Sequence, residues 1–540
     1  MAGDLLAGKP AGRMHRSVWI PIILASLAPA LTRAQAPAQS TLAGTYRRGS
    51  YEITLRPDGG YLVAAQSGAI GVRGHYRALG DTVEIVDESG PLACAAVVAG
   101  RYVARTSPDS LRLSVVDDTC DGRRQGLAGA TWARVREKAP MALTHVTVID
   151  GSGALPQTDM TLVIAGGRIT RLSRSGAEAL PPGADVLDLT GRSVIPGLID
   201  THVHLDGDPS GEDRRSVVER RLRNALLGGV TAVRDMAGDG RALADLARAA
   251  LVGDIESPAI YFAALMAGPD FFTDPRVLAS SRGVPPGSPP WARAVSAATD
   301  WRIAIAEAKG TGATAIKVYA AVSAEVLEPL VAEAHRQGLK VWAHAALFPA
   351  RPSEVVAAGV DVVSHASMLA WEGVAVQPSY TERRRQPTLA PDAPPINALL
   401  HLMAQRGTLL DATLLVVADS AATATWSATV VHAAWAANVP ITAGTDDIGT
   451  DAEGALPNIH EELRLLVERA GLPPLAALTA ATRNAARALG IEATHGTIAE
   501  GKAADLLVLS ADPAADIRHT RDIVYVFRAG QRFAPATRSR

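Results

Sequence analysis

Apolar and polar residues follow one rhythm in the first part of the chain. Between residues 41 and 136, short runs such as Tyr51 to Leu55 and Thr82 to Val86 alternate apolar and polar side chains, and Asp-Gly or Pro-Asp turns separate such runs. A period of two is typical of strands with one buried face, and these turns connect neighbouring antiparallel strands. The segment is therefore predicted to be a small antiparallel β-domain, either a sandwich or a barrel.

A second rhythm, in which strand-like runs alternate with helical ones, occupies residues 196–490. This alternation is the sequence form of parallel βα units. Helices are predicted between or after the strands, for example at residues 324–337 and 458–470. An α/β fold with a closed (β/α)8 TIM barrel follows, and its chemistry is expected at the carboxyl ends of the strands. The predicted strands span residues 195–204, 231–236, 259–266, 315–320, 340–345, 360–365, 409–416 and 440–446.

The first of these strands ends in two histidines. His202 and His204 are separated by one residue, and alternate side chains of a strand project from the same face, so both imidazoles can reach one ion. In a chain with 13 histidines, chance proximity explains a bare His-x-His about as well. The choice between the two interpretations depends on the surrounding residues.

Those residues, from Pro196 to His204, read Pro-Gly-Leu-Ile-Asp-Thr-His-Val-His. The run resembles the first-strand signature of the amidohydrolase superfamily, metal-dependent hydrolases built on a (β/α)8 barrel. Along residues 141–530 the chain is similar to the imidazolonepropionase-like group, which includes metal-dependent prolidases and other dipeptidases. The resemblance implies that residues 141–195 and 491–535 form one composite β-sandwich beside the barrel.

The N-terminal β-domain has a resemblance of its own. Residues 41–136 are similar to the lipocalin-like modules found attached to exported enzymes, and they contain no cluster of histidines, cysteines or paired acids that suggests chemistry. We expect an accessory role for this domain. Binding of a ligand or partner protein is left open.

Further ligand candidates lie at the ends of the later predicted strands. Any one of them alone is better explained as a buried polar residue of the core, but six at matching strand ends point to a metal site. Similarity to the binuclear amidohydrolases implies that one metal is held by His202, His204, a carbamate on Lys317 and Asp446, and that a second is held by the same carbamate, His344 and His365.

Lys317 is the most informative candidate. It lies in the apolar run Ala-Ile-Lys-Val-Tyr, where burial disfavours the ammonium form and favours the neutral amine. A neutral amine can take up carbon dioxide to give a carbamate, whose two oxygens can bridge two cations. The alternative is that Lys317 pairs with an acid and that the site holds one metal, as in related deaminases.

Two divalent ions, with zinc as the expected metal, would activate water and polarise a carbonyl, while Asp446 transfers the proton to the leaving nitrogen. The predicted activity is hydrolysis of an amide or peptide bond in a small substrate, such as an Xaa-Pro-like dipeptide or an N-acyl amino acid. A lactonase or phosphotriesterase on the same site is one alternative. A non-catalytic binding protein that acts through its β-domain is another.

Three residues are candidate substrate contacts. Tyr319 shares a strand face with Lys317, Arg234 lies near the end of the second strand, and His460 follows the last strand. A phenol or guanidinium can bind a substrate carboxylate. Each of the three serves equally well as a packing residue.

Composition and the N-terminal residues bear on the compartment. The 540 residues carry a formal net charge of −2 without a block of Lys or Arg, which argues against nucleic acid as a partner. Residues 1–36 combine basic residues, a short apolar run and small residues at the end of that run, which is the pattern of a cleaved signal peptide. The protein is therefore predicted to be secreted or periplasmic, without a stable membrane span. An oxidising compartment would allow Cys94 and Cys120 to pair. A homo-oligomer is left open.

Overall fold

The computed structural model describes residues 42–65, 69–95, 98–135, 139–205, 214–281, 283–383 and 386–535. The predicted signal peptide, residues 1–36, lies outside these ranges. The chain divides between residues 136 and 137 into two compact units.

The N-terminal unit is a closed antiparallel barrel of eight strands in the residues described. Each strand pairs with the next, and the first pairs with the last where Tyr46 lies opposite Arg134. Alternate side chains such as Ile53 and Leu55 fill the interior, which is the physical reason for the period of two in the sequence. The strands are Gly44–Arg48, Tyr51–Leu55, Gly60–Ala65, Ile70–Leu79, Thr82–Ser89, Ala99–Ser107, Ser110–Asp117 and Thr131–Val135, and the helix Asp121–Leu127 precedes the last of them.

A buried ionic network and a disulfide stabilise this barrel. Cys94 and Cys120 form the predicted disulfide, with their Cα atoms 6.3 Å apart. The backbone amide of Cys94 donates to Asp87 at 2.8 Å, and that of Cys120 donates to Asp118 at 2.8 Å. The Arg123 guanidinium lies between these two carboxylates, 3.1 Å from Asp87 and 2.8 Å from Asp118. A buried arginine is tolerated here because it has both acids as partners.

The second unit begins and ends in one β-sheet. Strand Ser193–Pro196 pairs in parallel with Met141–Val148 and antiparallel with Leu506–Leu509, so the segments on either side of the barrel in sequence share one sheet. The first barrel strand follows directly after Pro196, and this sheet therefore fixes where the barrel begins. The strand order is Arg168–Arg174, Gln157–Ala165, Met141–Val148, Ser193–Pro196, Leu506–Leu509, Ile523–Arg528 and Gln531–Phe533, with Asp185–Asp188 also paired to Met141–Val148.

Eight parallel strands of the described residues form the barrel sheet. Two backbone hydrogen bonds connect the end of the last strand to the first. The Thr201 amide donates to the Ala443 carbonyl at 3.4 Å, and the Asp446 amide donates to the His202 carbonyl at 2.8 Å. All eight lie where the sequence predicts strands, although the last three are at most half as long as predicted. The strands are Leu198–Val203, Val230–Asp235, Ala259–Ala267, Ala315–Val318, Lys340–His344, Val362–Ser364, Leu409–Asp411 and Ile441–Thr442, and the short strand Ala292–Ala294 pairs with the third.

Helices surround this barrel and end on signals visible in the sequence. Helix Gly240–Val252 begins after Asp239, whose side chain accepts a hydrogen bond from the Arg241 amide. The helix is followed by Gly253, whose φ of 80° suits glycine. No helix of the described residues is long and apolar enough to cross a membrane. The helices are Arg215–Leu227, Gly240–Val252, Pro275–Ser280, Trp301–Gly310, Ala324–Arg336, Pro352–Ala357, Pro394–Arg406, Ala421–Ala436, Ile459–Glu468, Pro474–Ala480 and Arg483–Leu489, with 3₁₀ turns at Pro269–Thr273, Ala366–Gly373, Leu415–Val417 and Ile517–Arg521.

Candidate metal centre

The six side chains that the sequence nominates as ligands line a single cavity at the carboxyl ends of the barrel strands. The cavity has a volume of about 270 Å³. Its polar wall is formed by His202, His204, Lys317, His344, His365 and Asp446. Residues from the ends of five different strands therefore converge on one point, as expected for a barrel active site.

His202, His204 and Asp446 form the first half of the centre. One oxygen of Asp446 lies 3.1 Å from His202 Nε2 and 3.0 Å from His204 Nε2. The ligand atoms of the three residues all lie within 4.8 Å of one another, so one divalent ion could contact all three. Burial lowers the pKa of His202, but Asp446 and Asp411 outweigh this effect and raise it to about 9. The pocket thus favours positive charge at the position where an ion would bind.

Lys317, His344 and His365 form the second half. The ring centroids of His344 and His365 are 4.8 Å apart, and those of His365 and His202 are 5.0 Å apart, so the two halves adjoin. Burial lowers the pKa of His365 to about 3 and that of His344 well below its usual value. Both imidazoles are therefore neutral, which is the form that binds metals.

Lys317 is almost completely buried. Its Nζ donates to Ser364 Oγ at 3.4 Å. Burial lowers the pKa of the amine to about 8, although Asp411 and Asp446 oppose the shift. A sizeable neutral fraction at physiological pH meets the chemical requirement for carbamate formation, and the donor set of imidazoles, carboxylate and amine fits divalent metals.

Two residues that sequence reasoning missed orient these ligands. Asp411 accepts from His202 Nδ1 at 2.7 Å, and Thr413 Oγ1 lies 2.9 Å from His365 Nδ1. Each contact occupies Nδ1 and leaves Nε2 for an ion, the usual role of the groups behind metal-binding histidines. The sequence offers one weak signal for Asp411, an acid directly after the apolar run Leu409–Leu410, where burial is costly, but it does not show that His202 is the partner.

The backbone is unusual where the ligands lie. His365, Thr413 and Asp446 have φ values of 71°, 44° and 59°, a region that residues other than glycine rarely adopt. Such conformations cost about 1–3 kcal/mol each and are concentrated at functional sites. Here they occur just beyond the strand ends, where the chain turns while the side chains of His365 and Asp446 face the cavity and Thr413 contacts His365.

The remaining cavity wall is mainly apolar. Met236, Leu265, Phe271 and Val277 line it together with Ala237, Ser280 and Tyr319. The Tyr319 ring lies 4.1 Å from the His344 ring and 4.5 Å from the Phe271 ring, between centroids. Tyr319 is the one predicted substrate contact that the structure brings to the cavity.

Arg234 and His460 lie outside the cavity lining. The Arg234 guanidinium is inside the barrel, 5.2 Å from the Trp342 ring centroid, and donates to the Leu489 carbonyl at 3.3 Å. His460 is buried, with Nδ1 2.9 Å from Thr520 Oγ1 and Nε2 2.8 Å from the Gly228 carbonyl. The prediction that these two residues contact substrate is therefore not retained, because neither side chain projects from a strand end into the cavity.

Comparison with known proteins adds the family. Residues 193–532 match the model of the amidohydrolase family. The chain is 29% identical to an ochratoxinase of Aspergillus niger over 399 residues, which cover 63% of this chain and 75% of that protein. A dihydroorotase of Pelotomaculum thermopropionicum is 39% identical over 88 residues, and this match spans only 16% of the chain and 19% of the dihydroorotase.

Solved structures share the fold. A protein from Bifidobacterium longum assigned as a prolidase superposes with a TM-score of 0.55 at 27% identity, covering 75% of this chain and 96% of that one. The crystal structure of the A. niger ochratoxinase gives a TM-score of 0.59 at 23% identity, covering 74% and 97%. The family match, which spans more than half of the chain, and the barrel with its cluster of histidines, lysine and aspartate at the strand ends lead to one conclusion: the chain belongs to the amidohydrolase family.

Proposed function

We propose that this protein is an exported, binuclear metal-dependent hydrolase that cleaves an amide or peptide bond of a small substrate, such as a dipeptide or an N-acyl amino acid. The observation that carries the proposal is the convergence of four histidines, a buried lysine and an aspartate on one cavity. A structural role alone does not explain a buried lysine whose only described hydrogen-bond partner is a serine hydroxyl.

The metal-binding roles follow from the two halves of the centre. His202, His204 and Asp446 would hold one ion, His344 and His365 the other, and a carboxylated Lys317 would contribute an oxygen to each. Divalent ions bound in this way supply Lewis acidity, which lowers the pKa of water towards ~7 and polarises a substrate carbonyl. Zinc is the proposed metal because imidazole and carboxylate ligands suit it.

Asp446 is the proposed general base and acid. His202 and His204 lower its pKa despite burial, so it is ionised throughout the physiological range. Its carboxylate accepts a proton from the attacking water and passes that proton to the amide nitrogen as the C–N bond breaks. The products are a carboxylic acid and an amine, and such proton transfer typically contributes ~10²- to 10⁴-fold in rate.

The apolar wall supports a substrate with an apolar group beside the scissile bond. Phe271 and Leu265 offer buried apolar surface, while the Tyr319 phenol and the Ser280 hydroxyl are the polar groups of that wall. The similar proteins named above include a prolidase and an ochratoxinase, and these names support amide substrates for this chain.

A substrate panel tests the activity. The purified, metal-loaded enzyme should hydrolyse dipeptides or N-acyl amino acids that carry an apolar side chain, and Asp446→Asn, prepared identically, should lose that activity. Turnover of lactones or organophosphates without any turnover of amides would instead establish the ester-cleaving alternative. Absence of turnover on every class would favour a binding protein.

Export is proposed from residues 1–36, and the Cys94–Cys120 disulfide supports an oxidising compartment. The mature N-terminus, determined on protein from the native host, is expected close to Gln35. An intact N-terminus on cytoplasmic protein would overturn this part of the proposal without affecting the hydrolase assignment.

A further inference from the structure

Arg234 is a buried cation that the proposed reaction does not use. It belongs to the second barrel strand and is 0% exposed. Its guanidinium lies against Trp342, in the barrel floor, which we define as the buried layer of Ile199, Ala232, Trp342, Val362 and the helix Arg483–Leu489. A buried charge in such an apolar layer is strongly unfavourable unless it has a partner.

Three donor nitrogens in this layer have no acceptor among the described residues. The guanidinium carries five N–H groups, and its Nη2 donates to the Leu489 carbonyl. Arg234 Nε and Nη1 are buried without a hydrogen-bond partner, and so is Trp342 Nε1. Buried donors in native proteins almost always have a partner, so three in one layer require an explanation.

Acidic groups near the floor do not supply the missing partner. Asp361 is the carboxylate whose charge acts on Arg234, but it already accepts from His335 Nε2, Lys340 Nζ and the Val341 amide, each at 2.8 Å. Its charge is thus paired with Lys340. Burial raises the pKa of the Tyr261 phenol, which therefore stays neutral.

The charge itself persists. Burial lowers the pKa of Arg234 to about 10, which still leaves the guanidinium protonated at neutral pH. The floor also contains small side chains, with Ala232, Ala263 and Ala315 in the buried cluster around Trp342. Inward positions of such barrels usually carry bulky branched residues, so these alanines fill less of the layer than is usual.

We propose that the barrel floor binds one small monovalent anion of the halide class, held by Arg234 Nε and Nη1 and by Trp342 Nε1. One negative charge balances the one unpaired positive charge, and a spherical acceptor can receive donors from several directions. Water would satisfy the donors but would leave the charge uncompensated. This inference is independent of the proposed hydrolase activity.

Anomalous diffraction tests the site directly. Crystals of the wild-type protein grown in chloride and in bromide should each show an anomalous peak beside Arg234 and Trp342, measured at wavelengths where chlorine and bromine scatter. The peak should be absent from Arg234→Met, whose fold is checked by circular dichroism and metal content. Ordered water at this position in both salts, or no density, would overturn the proposal.

Thermal unfolding provides a second readout in solution. Replacing gluconate by chloride at constant ionic strength should raise the melting temperature of the wild-type protein along a saturating curve. Arg234→Met should lose this response, and Trp342→Phe, which keeps an aromatic ring but removes the indole N–H donor, should need more chloride for half the effect. The matched control is Arg483→Met, which removes an exposed arginine from the helix Arg483–Leu489 of the barrel floor. This variant should respond like wild type. Equal responses in Arg234→Met and wild type would contradict the assignment.

Discussion

Lys317 is the residue on which the assignment of two metals depends. Its Nζ lies in the barrel interior beside Ser364, and burial lowers its pKa to about 8. Without carboxylation it is a donor or a cation, and neither can bridge two ions. With carboxylation it would supply two oxygens, one for an ion beside His344 and His365 and one for an ion beside His202.

Replacement of this lysine therefore has a specific expected outcome. Lys317→Ala should lose activity by ~10²-fold or more, because a ligand shared by both ions is removed. Short carboxylic acids added to the variant should restore part of the activity by replacing the carbamate, and metal content should rise with them. Near-normal turnover and metal content in the variant without added acid would rule out the bridging role.

Substitution of Asp446 and of Asp411 by asparagine should separate the effects of proton transfer and metal binding. Asp446→Asn keeps an oxygen ligand but cannot accept a proton, so we expect metal content near wild type and turnover reduced by ~10²-fold or more. Asp411→Asn weakens the acceptor behind His202 Nδ1, so metal affinity should fall by ~10- to 100-fold. Metal titrations and turnover of both variants at saturating metal distinguish the two effects. An Asp446→Asn enzyme that works at the wild-type rate would place the general base elsewhere.

Sequence reasoning found residues that project from strand ends and missed those that act behind them. The strand period of two predicts that His202 and His204 share a face, and the structure brings both to Asp446. Asp411 escaped because its role depends on a contact between strands seven and one, which no local pattern encodes. Arg234 and His460 do not line the cavity for the same reason: Arg234 contacts the Leu489 carbonyl and His460 contacts Thr520 and the Gly228 carbonyl, and these distant partners cannot be inferred from chain position.

The helix Ile459–Glu468 positions the segment after strand seven, close to Asp411 and Thr413. Glu462 is fully buried and accepts the backbone amides of Leu414 (2.9 Å) and Leu415 (2.8 Å). The bonds tie the helix to the chain just beyond strand seven, which carries Asp411 and Thr413. Burial raises the pKa of Glu462 to about 8, although the hydrogen bonds from the two backbone amides act to lower it.

This shift predicts a pH dependence of stability. The folded protein holds the Glu462 proton more tightly than the unfolded chain, so the stabilisation is full below the unfolded pKa of ~4.3 and is lost as the pH rises towards 8. The side chain introduced in Glu462→Gln cannot titrate, so the free energy of unfolding of the variant should fall less than that of wild type between pH 5 and pH 8. The difference in slope corresponds to the proton, up to about one, that wild type takes up at Glu462 on folding. Denaturant unfolding at both pH values measures this. An unchanged slope in the variant would show that other groups account for the pH dependence.

Strand positions were predicted better than strand lengths. All eight barrel strands lie within or overlap their predicted ranges, because the alternation of apolar strands with amphipathic helices is a strong signal. The sixth to eighth strands are only two or three residues long, since the chain leaves the sheet early at His365, Thr413 and the residues before Asp446. Apolar content does not reveal this departure, because Thr413 is buried and His365 and Asp446 are at least partly buried.

Considered as a whole, the chain has two units with separate cores and separate stabilising devices. The N-terminal barrel depends on the Arg123 network and on a disulfide that closes a loop of 26 residues. A loop of that size stabilises the folded state by about 3 kcal/mol. The second unit has neither cysteine.

Reduction of the disulfide should therefore affect one unit only. In Cys94→Ser/Cys120→Ser, residues 42–135 should lose about 3 kcal/mol of protection in hydrogen exchange. Protection of the barrel strands that carry the proposed metal ligands should stay unchanged, as should turnover. A parallel loss of protection in both units would show that they unfold together.

The central claim is that one barrel cavity holds two metal ions that the hydrolytic reaction requires. Its most direct test is the metal content of the purified protein, measured by elemental analysis alongside activity. We predict about two divalent ions per chain, loss of both ions and of activity on chelation, and recovery of both on addition of metal, with Lys317→Ala failing to retain the pair. A fully active enzyme with one ion per chain, or one whose activity is indifferent to chelation, would contradict the account.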